Sequence, residues 1–360
     1  MAWTRQLTVA VLLLVWAAAP TGAQRVPGSE DTGRLFLWKA TSKTNAVYLL
    51  GSIHVATEDM YPLPDEILKA FAASKALAVE VDLTKVDPAA MQTVMMEKGV
   101  YPPGDTIGRH VSKDTLDKLR AYFKGRGLPA AAMEQFRPWA LAVTVTMLEV
   151  QALGYKTELG IDKHFMDQAG GRRIIELESA QEQLALLGGF PEQLEAEFLA
   201  STLDNAAKTK ELIGQTVAFW KAGDAEGLER LVITGPLKER PDLKGVYAKM
   251  FDERNAAMTK KIEGFLKGKE PHFVVVGAGH LIGDKGIVNL LEKRGYKVEQ
   301  VKVGGNAVAD AGAAKAPAAA GAPEPQQPQA KPDAGKAAAP GQKPAKKPDR
   351  GYIPADAWAK

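Results

Sequence analysis

Two stretches near opposite ends of the chain follow one plan: an apolar run, then a glycine, then a histidine three positions on. Ala46-Val47-Tyr48-Leu49-Leu50 leads into Gly51-Ser52-Ile53-His54, and Phe273-Val274-Val275-Val276 leads into Gly277-Ala278-Gly279-His280. A strand that ends in a glycine-containing turn presents the next side chain at a sheet edge, and in open α/β sheets ligands bind at that edge. Histidine is the commonest metal ligand and titrates near physiological pH. The chain has only five histidines, so two in one local setting point to a single site built from distant segments.

The pattern between these stretches fits that frame. Residues 35–38 and 46–50 read as strands of a hairpin around the polar turn 41–45. Residues 64–73 fit a helix with proline in its first turn. Residues 77–83 read as a third strand, with Leu77, Val79, Val81 and Leu83 on one face and Ala78, Glu80 and Asp82 on the other. Helical patterning dominates from about 88 to 169. A short strand at 173–178 and a helix at 180–187 follow, and helix continues from 192 to about 266. The chain closes with a strand at 272–276, a helix at 287–294 and a strand at 296–303. That strand–helix–strand order implies a right-handed parallel crossover. The expected fold is a mixed α/β sheet with a large helical insertion between its halves, forming one domain over residues 32–303.

The flanks differ from this domain. Residues 1–23 read as a signal peptide: Arg5 is the basic start, 7–19 the apolar core, and Thr21-Gly22-Ala23 a small-residue cleavage site. The core is shorter than the ~18 apolar residues a membrane span needs, so export to the periplasm or medium is expected over an uncleaved anchor. Residues 304–360 are rich in Ala, Pro, Gly and Lys and are expected to be a disordered tail, because such composition buries too little surface to offset its ordering entropy. Its basic residues suggest weak, salt-sensitive attachment to anionic envelope polymers. The terminal aromatic residues at 352–358 read as a frayed end or a short docking motif.

The net charge is +3. Arg5 carries one positive charge, and residues 304–360 hold eight Lys/Arg against five Asp/Glu, which leaves −1 for residues 24–303. The folded part therefore lacks the basic stripe of a nucleic-acid-binding domain. There is no cysteine, which excludes disulfides, thiolate metal sites and a cysteine nucleophile. No HExxH helix, GxSxG elbow or P-loop is present.

Several polar residues are candidates for chemistry. His54 and His280 lead. Glu80 is a carboxylate on an otherwise apolar strand, able to serve as a metal ligand or to orient a ligating histidine, or simply to face solvent. Glu178 repeats that pattern on the fourth strand. Asp162 and His164 follow the bend at Gly160, where Asp162 reads equally as a helix cap. Arg137 precedes a helix that starts with Pro138. Arg254 is able to bind a carboxylate or phosphate bidentately, although both arginines fit structural ion pairs as well.

These stretches together resemble the TraB/GumN family, a group that includes the Tiki proteins. The matching segments are Tyr48–Ala56, Ala78–Leu83, Arg137-Pro138-Trp139, Glu158–Phe165, Leu177-Glu178, Asp252–Asn255 and Val276–Leu281, in the family's order over roughly residues 34–303. The resemblance implies an α/β fold related to the erythromycin-esterase and ChaN-like proteins, with both Gly-to-His motifs at one site. It also implies hydrolysis dependent on a divalent metal (Mn, Co or Zn), since Tiki members look like metal-dependent proteases. His54, Glu80 and His280 would then be the metal ligands or their close partners, Glu80 serving as ligand or general base. The expected partner is a peptide or protein substrate. Because the family is functionally mixed, the alternative is an envelope binding protein that sequesters a peptide or metal-bearing ligand without turnover.

Overall fold

The computed structural model describes residues 32–304. The expected leader (1–23) and nearly all of the expected tail (304–360) lie outside the described residues. Six strands form one sheet: β1 (Arg34–Thr41), β2 (Ala46–Ser52), β3 (Ala76–Val79), β4 (Arg173–Glu176), β5 (His272–Gly277) and β6 (Lys297–Lys302). Their order is β4-β3-β5-β2-β1-β6. β1 and β2 form the expected antiparallel hairpin. β2, β5, β3 and β4 run parallel to one another, so four strands end at the same edge.

The composition of the central strands explains their position. Every residue of β2, β3 and β5 is buried, as expected for parallel strands covered by helices on both faces. The two outer strands carry charge instead. β6 exposes Lys297, Glu299 and Lys302, and β4 begins at exposed Arg173, which discourages further strand pairing.

The sheet is mixed and the helices fall between its strands, as the sequence pattern suggests. Residues 88–167 are mainly helical between β3 and β4, and residues 180–267 between β4 and β5. One core spans the sheet and most helices. A satellite core of Tyr101, Ile107, Leu119, Phe123, Leu141, Ala142, Val145 and Leu199 sits within the helical insertion.

One expectation needs correction. The third strand ends at Val79, not Leu83. Its residues are buried on both faces, so the period-two pattern does not separate a wet face from a dry one. Beyond Val79 the chain bends: Asp82 accepts hydrogen bonds from Thr84 N (3.0 Å) and Thr84 Oγ1 (2.5 Å), and its own N–H is bound by Glu176 Oε1 (2.8 Å). The closing strand–helix–strand unit does join two parallel strands of one sheet, though not neighbours. β6 runs parallel to β5, but β2 and β1 lie between them, and β6 pairs antiparallel with β1.

Candidate functional site

The carboxyl ends of the four parallel strands carry the polar residues singled out by the sequence. His54 follows β2, Glu80 follows β3, Glu178 follows β4 and His280 follows β5. Arg254 comes from the helix Glu253–Lys267, next to a π-helical turn at Ala248–Asp252. Such turns often mark functional sites. His54, Glu80 and His280 are each at most 6 % exposed, so burial governs their chemistry.

Local structure fixes each ring. Asp162, in the first turn of the helix Ile161–Asp167, faces His54 Nδ1 at 3.0 Å. It does not cap its helix. It reaches His54 because Ile161 N–H bonds Ile53 C=O (3.0 Å) and because Gly160 lies against the His54 backbone, where a Cβ would collide with the His54 carbonyl. On the other side, Asn255 Oδ1 lies 2.6 Å from His280 Nδ1. Asn255 Nδ2 donates to Lys285 C=O (2.9 Å), and this sets the amide orientation. Oδ1 must then accept from His280 Nδ1–H, and the lone pair of neutral His280 sits on Nε2. By the same logic the Asp162 carboxylate holds the proton of His54 on Nδ1, leaving Nε2 as the ring's second functional atom.

Both Nε2 atoms face Glu80. His280 Nε2 is 3.7 Å from Glu80 Oε1. A Cβ built on Gly277 would sit 3.0 Å from His54 Nε2, 3.2 Å from Glu80 Oε1 and 3.5 Å from His280 Cδ2. Glycine at 277 therefore keeps open the space where the three groups meet. Gly277 N–H donates to Glu80 Oε1. Arg254 Nη2 donates to Glu80 Oε2 (3.2 Å) and Glu178 Oε2 (2.6 Å), Nε reaches both Glu178 oxygens at 3.0 Å, and Nη1 donates to Met250 C=O (3.0 Å). Gln183 Nε2 joins the two glutamates, at 3.1 Å from Glu178 Oε2 and 3.4 Å from Glu80 Oε2.

The two histidines differ in basicity. Burial pushes His280 well below the ordinary histidine range, and the positive charges of Arg254 and His54 add to this. His280 is neutral at pH 7. Burial also opposes a charge on His54, but the adjacent Asp162 and nearby Glu80 outweigh it and raise its pKa. Burial raises Glu80 as well, against the opposing pull of Arg254 and His54. Arg254 stays charged, because Glu178 and Glu80 overcome the cost of its burial.

The donor chemistry suits a divalent cation: two imidazole Nε2 atoms and a carboxylate oxygen surround a gap next to a glycine, with each ring's other nitrogen held by a polar partner. Among the described residues, however, no three His, Asp or Glu side chains are spaced to hold a metal ion as they stand. Glu80 is engaged by Arg254 and by Gly277 N–H instead.

Two sequence candidates lie elsewhere. His164 is two positions beyond Asp162 on the same helix. At 3.6 residues per turn this points it to the opposite side, where it packs against the Tyr61 ring (4.8 Å) and Gln168 Nε2 (2.9 Å). Arg137 makes a two-point contact with Glu195 (2.7 and 3.1 Å), whose side chain is fully buried. Burial raises Glu195 to about 7 despite the pull of Arg137. Sequence reasoning did not single out Asn255 or Gln183. Asn255 directly follows Arg254, so its position was a usable signal. Gln183, inside an ordinary helix, gave none.

The fold and site define a class: an α/β protein with a buried histidine–carboxylate–arginine centre at the carboxyl edge of a mixed sheet. A sequence model of the TraB/PrgY/gumN family matches residues 36–300, and the chain belongs to that family. Escherichia coli YbaP, described as an uncharacterized protein, is 26 % identical over 265 residues, covering 72 % of this chain and 94 % of its own length. The zebrafish metalloprotease TIKI2 is 23 % identical over 329 residues, covering 76 % of this chain and 62 % of its own length. The human metalloprotease TIKI1 is 22 % identical over 353 residues, covering 81 % of this chain and 69 % of its own length. No solved structure matches the chain.

Proposed function

We propose that the protein is an exported, divalent-metal-dependent hydrolase that cleaves a peptide or protein. The observation that carries this reading is the meeting of His54 Nε2, His280 Nε2 and Glu80 Oε1 around the open space at Gly277, in a family that includes proteins named metalloproteases. His54, His280 and Glu80 would hold the ion. When bound, it would lower the pKa of a water molecule and polarise a carbonyl. Asp162 and Asn255 keep both imidazoles turned with Nε2 inward. Neutral His280 offers its lone pair without first losing a proton. Arg254, itself anchored by Glu178, and Gln183 hold Oε2 of Glu80, and Oε1, which accepts from Gly277 N–H, keeps a lone pair to bind or to accept a proton. A fold relationship to erythromycin-esterase and ChaN-like proteins, export through residues 1–23 and weak envelope attachment through residues 304–360 belong to the same reading.

The test uses the full-length protein stripped with a chelator, then supplied with Mn²⁺, Co²⁺ or Zn²⁺ and a broad peptide mixture, with new termini read by mass spectrometry. Metal-dependent cleavage is expected, lost in His54→Ala and His280→Ala while circular dichroism shows both variants still folded at the assay temperature. Folded, metal-supplied protein that leaves every peptide intact would refute the reading. Stoichiometric capture of intact peptide would favour sequestration instead.

A further inference from the structure

We propose that Ser52 is a catalytic residue of this site, its hydroxyl donating a hydrogen bond to the carbonyl oxygen of the bond being cleaved. The proposal rests on the hydrolase reading above. Ser52 is the last residue of β2 and the only one of that strand with a hydroxyl group on an aliphatic side chain. It is 3 % exposed, and its Oγ is buried without a hydrogen-bond partner. Buried hydroxyls are nearly always bonded, so an exception calls for a ligand or a cost elsewhere. Packing gives no reason for it, because alanine would fill a similar volume on an otherwise apolar strand end.

Register supplies the reason. Ser52 pairs with Gly277 across the parallel β2–β5 ladder. Paired residues on adjacent parallel strands point to the same face, with the strands about 4.8 Å apart. The Cβ direction at Gly277 leads to His54 Nε2 and Glu80 Oε1, so Ser52 faces the same gap from the next strand. The preceding pair, Gly51 and Val276, points to the other face, where a Cβ at Gly51 would meet Phe36. Among the site's other polar groups Asp162 is paired with His54, Asn255 with His280, and Arg254 with Glu80 and Glu178; Gln183 Oε1 is also without a partner but is an acceptor with no proton to give. Ser52 Oγ is thus a neutral donor at the gap whose proton is not committed to the protein. As a carbonyl carbon is attacked, negative charge grows on its oxygen, and a hydrogen bond from Ser52 strengthens at that moment.

Ser52→Ala and Ser52→Thr are compared with wild type as full-length proteins, loaded with the metal that supports cleavage, on one cleaved peptide. Ser52→Ala is expected to lower kcat about 100-fold or more with KM changed by less than about threefold. Its Tm should equal or exceed that of wild type, and Ser52→Thr should recover part of kcat. Calorimetry with the metal alone should give wild-type affinity. Wild-type turnover with an unimpaired Ser52→Ala variant would overturn the proposal and leave the hydrolase reading standing. A Tm loss of several degrees would assign the hydroxyl a structural partner, and a tenfold loss of metal affinity would make it a ligand; either overturns the proposal. Absence of turnover by wild type removes both readings together.

Discussion

Replacing Arg254 by methionine tests whether the buried charge centre is tied together as its geometry implies. Methionine keeps most of the apolar stem and removes the guanidinium. Arg254 donates to three acceptors, Glu178, Glu80 and Met250 C=O, and the three ionisable side chains are 10 %, 3 % and 12 % exposed for Arg254, Glu80 and Glu178. Removing one partner of such a group leaves uncompensated charge away from water, at about 3–5 kcal/mol. At about 2–4 °C per kcal/mol for a domain somewhat smaller than this one, Tm should fall by roughly 10 °C. The assay is urea unfolding at pH 7, followed by circular dichroism. Adding Glu178→Gln to Arg254→Met removes one of the stranded charges and should restore more than about 1 kcal/mol, a coupling measurable by a double-mutant cycle. A loss below about 1 kcal/mol in the single variant, the magnitude of a solvent-screened surface pair, would refute the reasoning. It would mean that water reaches Glu80 and Glu178 freely, and the argument for a preorganised Glu80 would fail with it.

Stability should also depend on pH through Glu195. Its folded pKa, about 7, lies above the ordinary 4.5, so the folded state binds the proton more tightly. The associated stability is fully present below pH 4.5 and is lost as pH rises through 7, amounting to about 3 kcal/mol. Denaturant curves between pH 4.5 and 8 should show this decline in wild type and its removal in Glu195→Gln; parallel profiles for the two proteins would reject it. Gly277→Ala places a methyl between His54 Nε2 and Glu80 Oε1. The backbone there (φ −51°, ψ 137°) accepts alanine, but its methyl presses on both buried groups, so calorimetry should show impaired divalent-ion binding, with a modest loss of Tm. Unchanged ion affinity would place the ion elsewhere. Asp162→Asn weakens the hold on His54 Nδ1–H and should lower metal affinity about 10–100-fold, with circular dichroism unchanged. Wild-type affinity in that variant would show that His54 is not a ligand.

Sequence patterning located most of the sheet because β2 and β5 are continuous apolar runs closed by glycine. It extended β3 too far because Val81 and Leu83 continue the alternation, whereas Glu80 turns inward to Gly277 and Asp82 builds its own turn. That distinction depends on a residue almost two hundred positions away and leaves no local trace. Asp162 and His164 show the same limit at shorter range. Both fit one motif, but helical rotation sends only Asp162 to His54. Arg137 illustrates a third case: its partner Glu195 lies beyond β4, in the helix Glu192–Asn205, and no spacing connects them before the helices pack. Family resemblance brings both arginines forward, Arg254 as a catalytic candidate and Arg137 as a secondary one, and packing sets Arg254 at the centre and Arg137 against Glu195.

The strand order explains why the centre needs β5. β2 and β3 are consecutive in the chain, yet β5 lies between them. His54 and Glu80 therefore remain on strands with no mutual hydrogen bonds until β5 arrives, carrying Gly277 N–H to Glu80 and His280 to the same gap. Arg254 reaches Glu80 and Glu178 from the helix just before β5. β5 thus joins β2 to β3 and brings the parts of the polar centre together. Any reactive arrangement of His54 and Glu80 therefore depends on β5 being paired between β2 and β3.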